Sequence, residues 1–148
     1  MKDVVMRTPE NITWIIPVAP QHLDLVEECL SSVKEQTLPV HQLVMVFSGV
    51  RGNAPRRIVE SFRPDFREIR FEERGKLLSA GEARNIGITC SDGNILSMLD
   101  ADDLAHPSRN EVLRDFFQTT QFDVCLHGYL EADISTGGHG EHTSWSTT

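Results

Sequence analysis

The sequence predicts an α/β fold built on a doubly wound, mostly parallel β-sheet. Short apolar runs alternate along the chain with segments whose apolar residues recur at helical spacing. Pro, Gly and Asp residues lie between these segments. A strict strand–helix alternation of this kind favours parallel strands with helices on both faces of the sheet. The 148 residues suffice for one modest domain with a single core.

The first half of the chain contains two strands and two helices by this criterion. A buried strand is predicted over residues 12–18 and a second over residues 43–47, since both runs are apolar. Between them, four apolar residues recur at helical spacing: Leu23, Val26, Leu30 and Val33. After the second strand, Pro55 suits the first turn of a helix that continues to Phe62.

The second half continues the alternation. Residues 68–72 alternate and predict a half-exposed strand, and Ser79 with Glu82 forms a capping box for a helix that ends before Asp92. A strand follows at residues 94–99, then a helix that starts at Pro107. Its inward residues are predicted to be Val112, Leu113, Phe116 and Phe117. Residues 122–126 read as a fifth strand.

Composition and charge limit the functional classes. With 22 acidic and 14 basic residues the net charge is −8, which argues against a general nucleic-acid partner. Eight of the 14 basic residues fall within residues 51–76; we interpret them as a solvated face, with a phosphate- or membrane-facing patch as the alternative. We assign residues 1–134 to the domain and expect residues 135–148, rich in Ser, Thr and Gly, to be a flexible tail.

Three dispersed cysteines without a C-x-x-C pair fit a reducing compartment, and no apolar stretch approaches the ~20 residues of a membrane span. We therefore expect a cytoplasmic protein without a transmembrane segment, with peripheral membrane attachment as an alternative.

Residues 99–103, Leu-Asp-Ala-Asp-Asp, are the most informative part of the chain. Three carboxylates follow an apolar strand directly, where like charges repel and desolvation is costly. The alternative is a solvated loop in which one carboxylate is stabilised by the N-terminus of the next helix. This alternative explains Asp103 well and the other two aspartates poorly. A hard divalent cation, Mg²⁺ or Mn²⁺, removes both costs, so Asp100, Asp102 and Asp103 are candidate metal ligands.

Strand ends also predict where a ligand binds. In open parallel sheets, ligands occupy the crevice outside the carboxyl ends of the strands. Residues 17–19, 47–49 and 100–103 all follow predicted strands, so we expect them to gather along one edge. The small-residue helix start at Ser79 offers free N–H groups to phosphate, and Arg84 can add a charge-assisted contact. On this segment alone, a capped helix whose Gly81 and Gly87 permit close packing is the better explanation.

Taken in order, these segments resemble the family-2 glycosyltransferases, which have the GT-A fold. The matching pieces are Ile15-Ile16-Pro17-Val18, Cys29–Val33 with Gln36-Thr37, Gly81–Ile88, Ser91–Ile95, and Leu99–Asp103 with Pro107. The resemblance implies transfer of a sugar from a nucleotide-diphosphate-sugar donor to an acceptor hydroxyl of a glycan, lipid or protein, with a divalent metal and inversion at the anomeric carbon.

The resemblance also implies roles for individual residues. Asp100-Ala101-Asp102 corresponds to the D-x-D motif of the family, in which Asp102 would bind the metal and Asp100 would face the ribose and the metal's surroundings. Pro17, Val18 and Ala19 would border the base, and Arg84 and Asn85 would line the donor pocket. Where the family has paired aspartates after the second strand, this chain has Phe47 and Ser48; Ser48 can still bond a base.

The acceptor-side half of the family, which supplies the general base, is not matched in this chain. Neither Glu131 nor Asp133 can be assigned as that base, so the catalytic residue is not identified. We expect the chain to be an N-terminal donor-binding portion, incomplete relative to the family. A non-catalytic nucleotide-sugar-binding module is the first alternative. A metal-dependent nucleotidyltransferase is the second, disfavoured because residues 17–21 contain neither Gly nor Lys.

Overall fold

A computed structural model describes residues 11–129 and, for the backbone alone, residues 132–133 and 138–139. Its centre is a four-stranded parallel sheet with the strand order β3-β2-β1-β4. The strands are β1 (Ile12–Val18), β2 (Gln42–Ser48), β3 (Ile69–Arg74) and β4 (Ile95–Met98). The predicted parallel, doubly wound sheet is therefore confirmed.

Helices cover both faces of this sheet. They are α1 (Val26–Lys34), α2 (Ala54–Phe62), α3 (Ala80–Cys90) and α4 (Arg109–Thr119). Buried residues of α1, α2 and α4 form one core with alternate residues of β1 and β2, whereas Ala83 of α3 packs against Ile15, Val44 and Val46 on the opposite face. Every residue of β1 and β2 is buried, as expected for central strands covered on two sides.

The close approach of α3 to β1 depends on Gly87. A Cβ atom at this position would lie 2.4 Å from Cγ2 of Ile15, so a side chain there would push the helix off the sheet. The start of the same helix is set by the capping box predicted from the sequence: the Glu82 N–H donates to Ser79 Oγ, and the Ser79 N–H donates to the Glu82 carboxylate. The backbone of α3 is thereby fixed relative to the carboxyl edge of the sheet.

Two sequence predictions in the last third are wrong. Residues 122–126 form no strand, and Phe122, Val124 and Leu126 are 67%, 71% and 93% exposed. Alternating apolar residues need a neighbouring strand to pair with, and this segment does not join β4; Phe122 instead stacks on Phe116. Val112 is 57% exposed rather than inward, because Leu113, about 100° further around α4, faces the core.

Other expectations concern the surface and the end of the chain. All eight basic side chains of residues 51–76 are exposed, as expected for a solvated face. Ala132–Asp133 pairs antiparallel with Gly138–His139, which places one short strand inside the segment predicted to be a flexible tail. The remaining residues of 135–148, and Glu131, lie outside the described residues. Within the described part of the chain, no helix is long and apolar enough to cross a bilayer.

Candidate donor-binding site

Parallel strands deliver three segments to the same edge of the sheet. Val18 pairs with Phe47, and Ile15 pairs with Met98, so the carboxyl ends of β1, β2 and β4 are neighbours. A cleft of about 240 Å³ opens at this edge. It is lined by Pro17, Val18, Ala19, His22, Ser48, Leu78, Ala80, Ala83, Asp100 and Asp102.

The structure brings together six of the residues singled out from the sequence. They are Pro17, Val18, Ala19, Ser48, Asp100 and Asp102. Arg84 reaches the same place indirectly, since its guanidinium donates a hydrogen bond to the Asp100 carboxylate. Ala101 is fully buried in the core, and Asn85 and Asp103 are exposed outside the cleft lining.

Four lining residues were not named as site residues from the sequence: His22, Leu78, Ala80 and Ala83. Of these, Ala80 and Ala83 belong to the small-residue helix start that the sequence analysis proposed as a phosphate contact. His22 follows the first strand in a short turn, and its Nδ1 accepts a hydrogen bond from the Ala19 N–H at 3.2 Å. His22 could have been predicted from the sequence, because it lies only three residues after Ala19, which was a candidate at the end of the first strand. The other three belong to the approach and first turns of α3, where small residues leave the helix N-terminus open to the cleft.

Asp100 is fixed on several sides. Its carboxylate accepts from Arg84, and its backbone oxygen accepts from the Asp103 N–H at 3.0 Å, which closes a turn. The Cys29 thiol donates to the same oxygen at 3.6 Å. Burial, reinforced by the negative charges of the three aspartates, raises the pKa of the Cys29 thiol to about 12, so the thiol stays protonated and acts as a donor.

The aspartates repel one another. The pKa of Asp103 is raised, first by desolvation and then by the charges of Asp102 and Asp100, while Arg109 opposes the rise. Within residues 11–129, no carboxylate, imidazole or thiol groups cluster in threes that could hold a metal ion by themselves. The residues present nevertheless fit a hard cation that takes one or two carboxylates and completes its shell with substrate phosphates and water, because Asp100 and Asp102 both face the cleft.

Comparisons with known proteins identify the family of this chain. The family model described as "Glycosyl transferase family 2" matches residues 13–146. The chain is 26% identical to the glycosyltransferase GlyG of Streptococcus pneumoniae over 128 residues, which are 86% of this chain and 42% of that protein. It is 28% identical to GlyA of the same organism over 132 residues, which are 89% of this chain and 18% of that protein. The chain thus spans less than half of the length of these curated relatives.

Solved structures show the same architecture. One is the mannosyltransferase PcManGT from Pyrobaculum calidifontis in complex with GDP-Man and Mn²⁺. The match covers 76% of this chain and 32% of the PcManGT chain, with a TM-score of 0.59 and 27% sequence identity. Another is TarS of S. aureus, residues 1–349, in complex with UDP-GlcNAc. The match covers 71% of this chain and 29% of the TarS chain, with a TM-score of 0.60 and 21% sequence identity. The GT-A fold is thereby shown, and the chain belongs to glycosyltransferase family 2.

Proposed function

We propose that the cleft binds the nucleoside diphosphate part of a sugar donor, and that the complete enzyme transfers the sugar to an acceptor hydroxyl. The single observation that carries the proposal is the convergence of Asp100, Asp102 and the first turn of α3 on one cleft at the carboxyl edge. A helix N-terminus attracts phosphate through its free N–H groups, and the adjacent carboxylates suit a hard cation. Both halves of a metal–diphosphate recognition site are thus supplied.

Each residue has a distinct task in this proposal. Asp102, exposed and directed to the cleft, would hold Mn²⁺ or Mg²⁺ together with the diphosphate. Such a cation neutralises the charge that develops on the leaving nucleoside diphosphate. Asp100 accepts a hydrogen bond from Arg84, and in this proposal it would face the ribose and the metal's surroundings. The manganese complex of the mannosyltransferase neighbour supports the use of a divalent metal.

The base of the donor is bordered by Pro17, Val18, Ala19 and Ser48 in this proposal. Ser48 is 3% exposed, and the resemblance to the family implies that Phe47 and Ser48 replace its paired aspartates. A hydroxyl both donates and accepts hydrogen bonds, so it can serve a uracil or a guanine. We therefore leave both nucleotides in the test. Asn85, Ala101 and Asp103 remain predictions as donor or metal residues.

A second candidate function has support from one observation. Within residues 11–129, the carboxylates that line the cleft are Asp100 and Asp102, and the proposal commits both to the donor. No general base for the acceptor is therefore identified there. A module that binds nucleotide sugars without chemistry would have the same cleft. Membership in glycosyltransferase family 2 gives no support to the nucleotidyltransferase alternative.

Calorimetric titration with UDP and GDP, each with Mn²⁺ and with EDTA, tests the proposal. We expect binding of at least one nucleotide in the presence of Mn²⁺ and its loss with EDTA. Absence of binding for both nucleotides would contradict the proposal. A panel of UDP- and GDP-sugars, assayed for release of the nucleoside diphosphate with and without simple glycan, lipid or peptide acceptors, then separates the two candidates. Binding without any release favours the module.

A further inference from the structure

The segment of residues 99–107, here called the acidic loop, is tied to α1 and to the turn after it at four points. These are the Cys29 thiol to the Asp100 oxygen (3.6 Å), the Ala105 N–H to Ser32 Oγ (2.9 Å), the Gln36 amide to the His106 oxygen (2.7 Å) and the Thr37 N–H to the Pro107 oxygen (2.9 Å). The contacts follow the loop from its first aspartate to its last residue. α1 and the turn after it thus hold the loop at its first aspartate and over its last three residues.

The spacing of the contacting side chains explains how one element does this. Cys29, Ser32 and Gln36 are three and four residues apart, which places successive side chains on the same side of a helix. Gln36 continues this line just beyond the end of α1. The loop runs along this line, with partners 70 or more residues away in sequence.

Gln36 anchors the far end of the loop in the core. It is 6% exposed, and both polar atoms of its amide are bonded, since its oxygen also accepts from the Asn110 N–H at 2.9 Å. The Asn110 side chain in turn accepts from the Trp14 indole N–H of β1 at 2.8 Å. The position of the loop is therefore set relative to the sheet as well as to α1.

Ser32 holds the middle of the loop. Its hydroxyl donates to the Cys29 oxygen at 2.7 Å, which leaves a lone pair directed at the Ala105 N–H. Ala105 follows the three aspartates, whose mutual repulsion favours a more open loop. Ser32 opposes that opening, and the contact lies behind the loop rather than in the cleft.

We propose that Ser32 is a positioning residue that holds the acidic loop with Asp102 facing the donor cleft, an inference that rests on the proposed function. Ser32 does not line the cleft, so its effect on the donor passes through the loop. Loss of its hydroxyl removes the bond to the Cys29 oxygen, which lies within α1, and the bond to the loop, which releases the Ala105 N–H. We expect about a 3- to 10-fold loss of nucleotide affinity, the equivalent of one ordinary hydrogen bond.

The neighbouring serine provides a matched control. Ser31 also donates its hydroxyl to a carbonyl of its own helix, that of Glu27 at 2.8 Å, and makes no hydrogen bond to the described residues of the acidic loop. Ser31→Ala and Ser32→Ala therefore remove the same chemistry from the same helix, and they differ in the loop contact. Ser32→Thr keeps a hydroxyl and serves as the rescue variant.

The experiment combines two measurements on the full chain. Amide hydrogen exchange at Ala105 reports the contact itself, and calorimetric titration with UDP or GDP in Mn²⁺ reports its consequence. We expect Ser32→Ala to exchange faster at Ala105 and to bind more weakly. Ser31→Ala should match the wild type in both, and Ser32→Thr should return toward the wild type.

The contrary outcomes are distinct. Equal affinities of Ser32→Ala and Ser31→Ala would overturn the positioning role, even if exchange at Ala105 became faster. Absence of nucleotide binding by the wild type would refute the proposed function and this role with it. In that case the exchange comparison still shows whether Ser32 orders the loop.

Discussion

The two edges of the parallel sheet both carry polar side chains, but those side chains find their partners in different places. At the amino edge they bond to one another: the fully buried Gln42 accepts from the Thr13 hydroxyl and the Asp92 N–H and donates to Glu68. At the carboxyl edge, Asp102 has neither a hydrogen bond nor an ion pair to any residue among 11–129. Polar groups that bond to one another within the protein stabilise the fold, whereas a solvent-exposed carboxylate at a cleft is available to bind a ligand.

This contrast predicts opposite effects of substitutions at the two edges. Changes at the amino edge should alter stability and leave ligand affinity intact, and changes at the carboxyl edge should do the reverse. Asp103→Asn and Gly75→Ala serve as controls for the two largest expected effects.

The largest effect is expected for Asp102→Asn at the carboxyl edge. Loss of the charge that faces the cleft should weaken binding of Mn²⁺ with UDP or GDP by about 100-fold or more. Stability should change by less than about 0.5 kcal/mol, since the residue is exposed. Titration calorimetry and chemical denaturation measure the two quantities.

Asp103→Asn is the control for this change. Asp103 lies outside the cleft lining, so we expect a loss of affinity much smaller than that of Asp102→Asn. An equal loss in both variants would return Asp103 to the ligand set predicted from the sequence.

Gly93→Ala should have the largest effect at the amino edge. A Cβ atom there would lie 2.4 Å from Thr13 Oγ1 and 2.5 Å from the Asn11 oxygen, so the backbone would have to shift. We expect a loss of about 1–3 kcal/mol in the free energy of unfolding, with unchanged nucleotide affinity of the folded protein. Gly75→Ala, where a Cβ atom meets nothing within 4 Å, should be close to neutral. Equal stability of the two variants would contradict the packing argument.

The histidines offer a smaller test, with one at each edge. His22 lines the cleft and supports the turn at Ala19, so His22→Ala should weaken nucleotide binding about threefold. His41 contacts Asp92 at 3.1 Å at the amino edge, so His41→Ala should cost about 0.5–1 kcal/mol of stability and no affinity. A loss of affinity in His41→Ala together with a loss of stability alone in His22→Ala would contradict the contrast between the edges.

The smallest expected change is in the acid dependence of stability. The pKa of Glu68 is lowered because the Gln42 amide and the Arg70 guanidinium bond its charged form. Its contribution to stability is therefore present above the ordinary pKa of 4.5 and lost as the pH falls through the lowered value. Glu68→Gln should flatten the loss of stability below pH 4.5, as measured by urea denaturation at several pH values. An unchanged slope would remove Glu68 from the network.

Local patterns predicted the sheet, the helices and much of the cleft. The apolar runs of β1 and β2 and the capping box of α3 are local signals, and parallel strands bring their carboxyl ends together by geometry alone. The exposed segment of residues 122–126 shows the limit, because a strand also requires a partner that sequence alternation does not reveal. The contacts of Ser32 and Gln36 with the acidic loop lie beyond local reasoning, since their partners are 70 or more residues away.

A crystal structure of the chain with Mn²⁺ and the nucleoside diphosphate that binds in calorimetry would test the proposed metal–diphosphate site at Asp102 directly. We predict anomalous density for the ion at coordination distance, about 2 Å, from the Asp102 carboxylate and from diphosphate oxygens beside the first turn of α3. An ion and a diphosphate bound elsewhere, with Asp102 turned into solvent, would contradict the account.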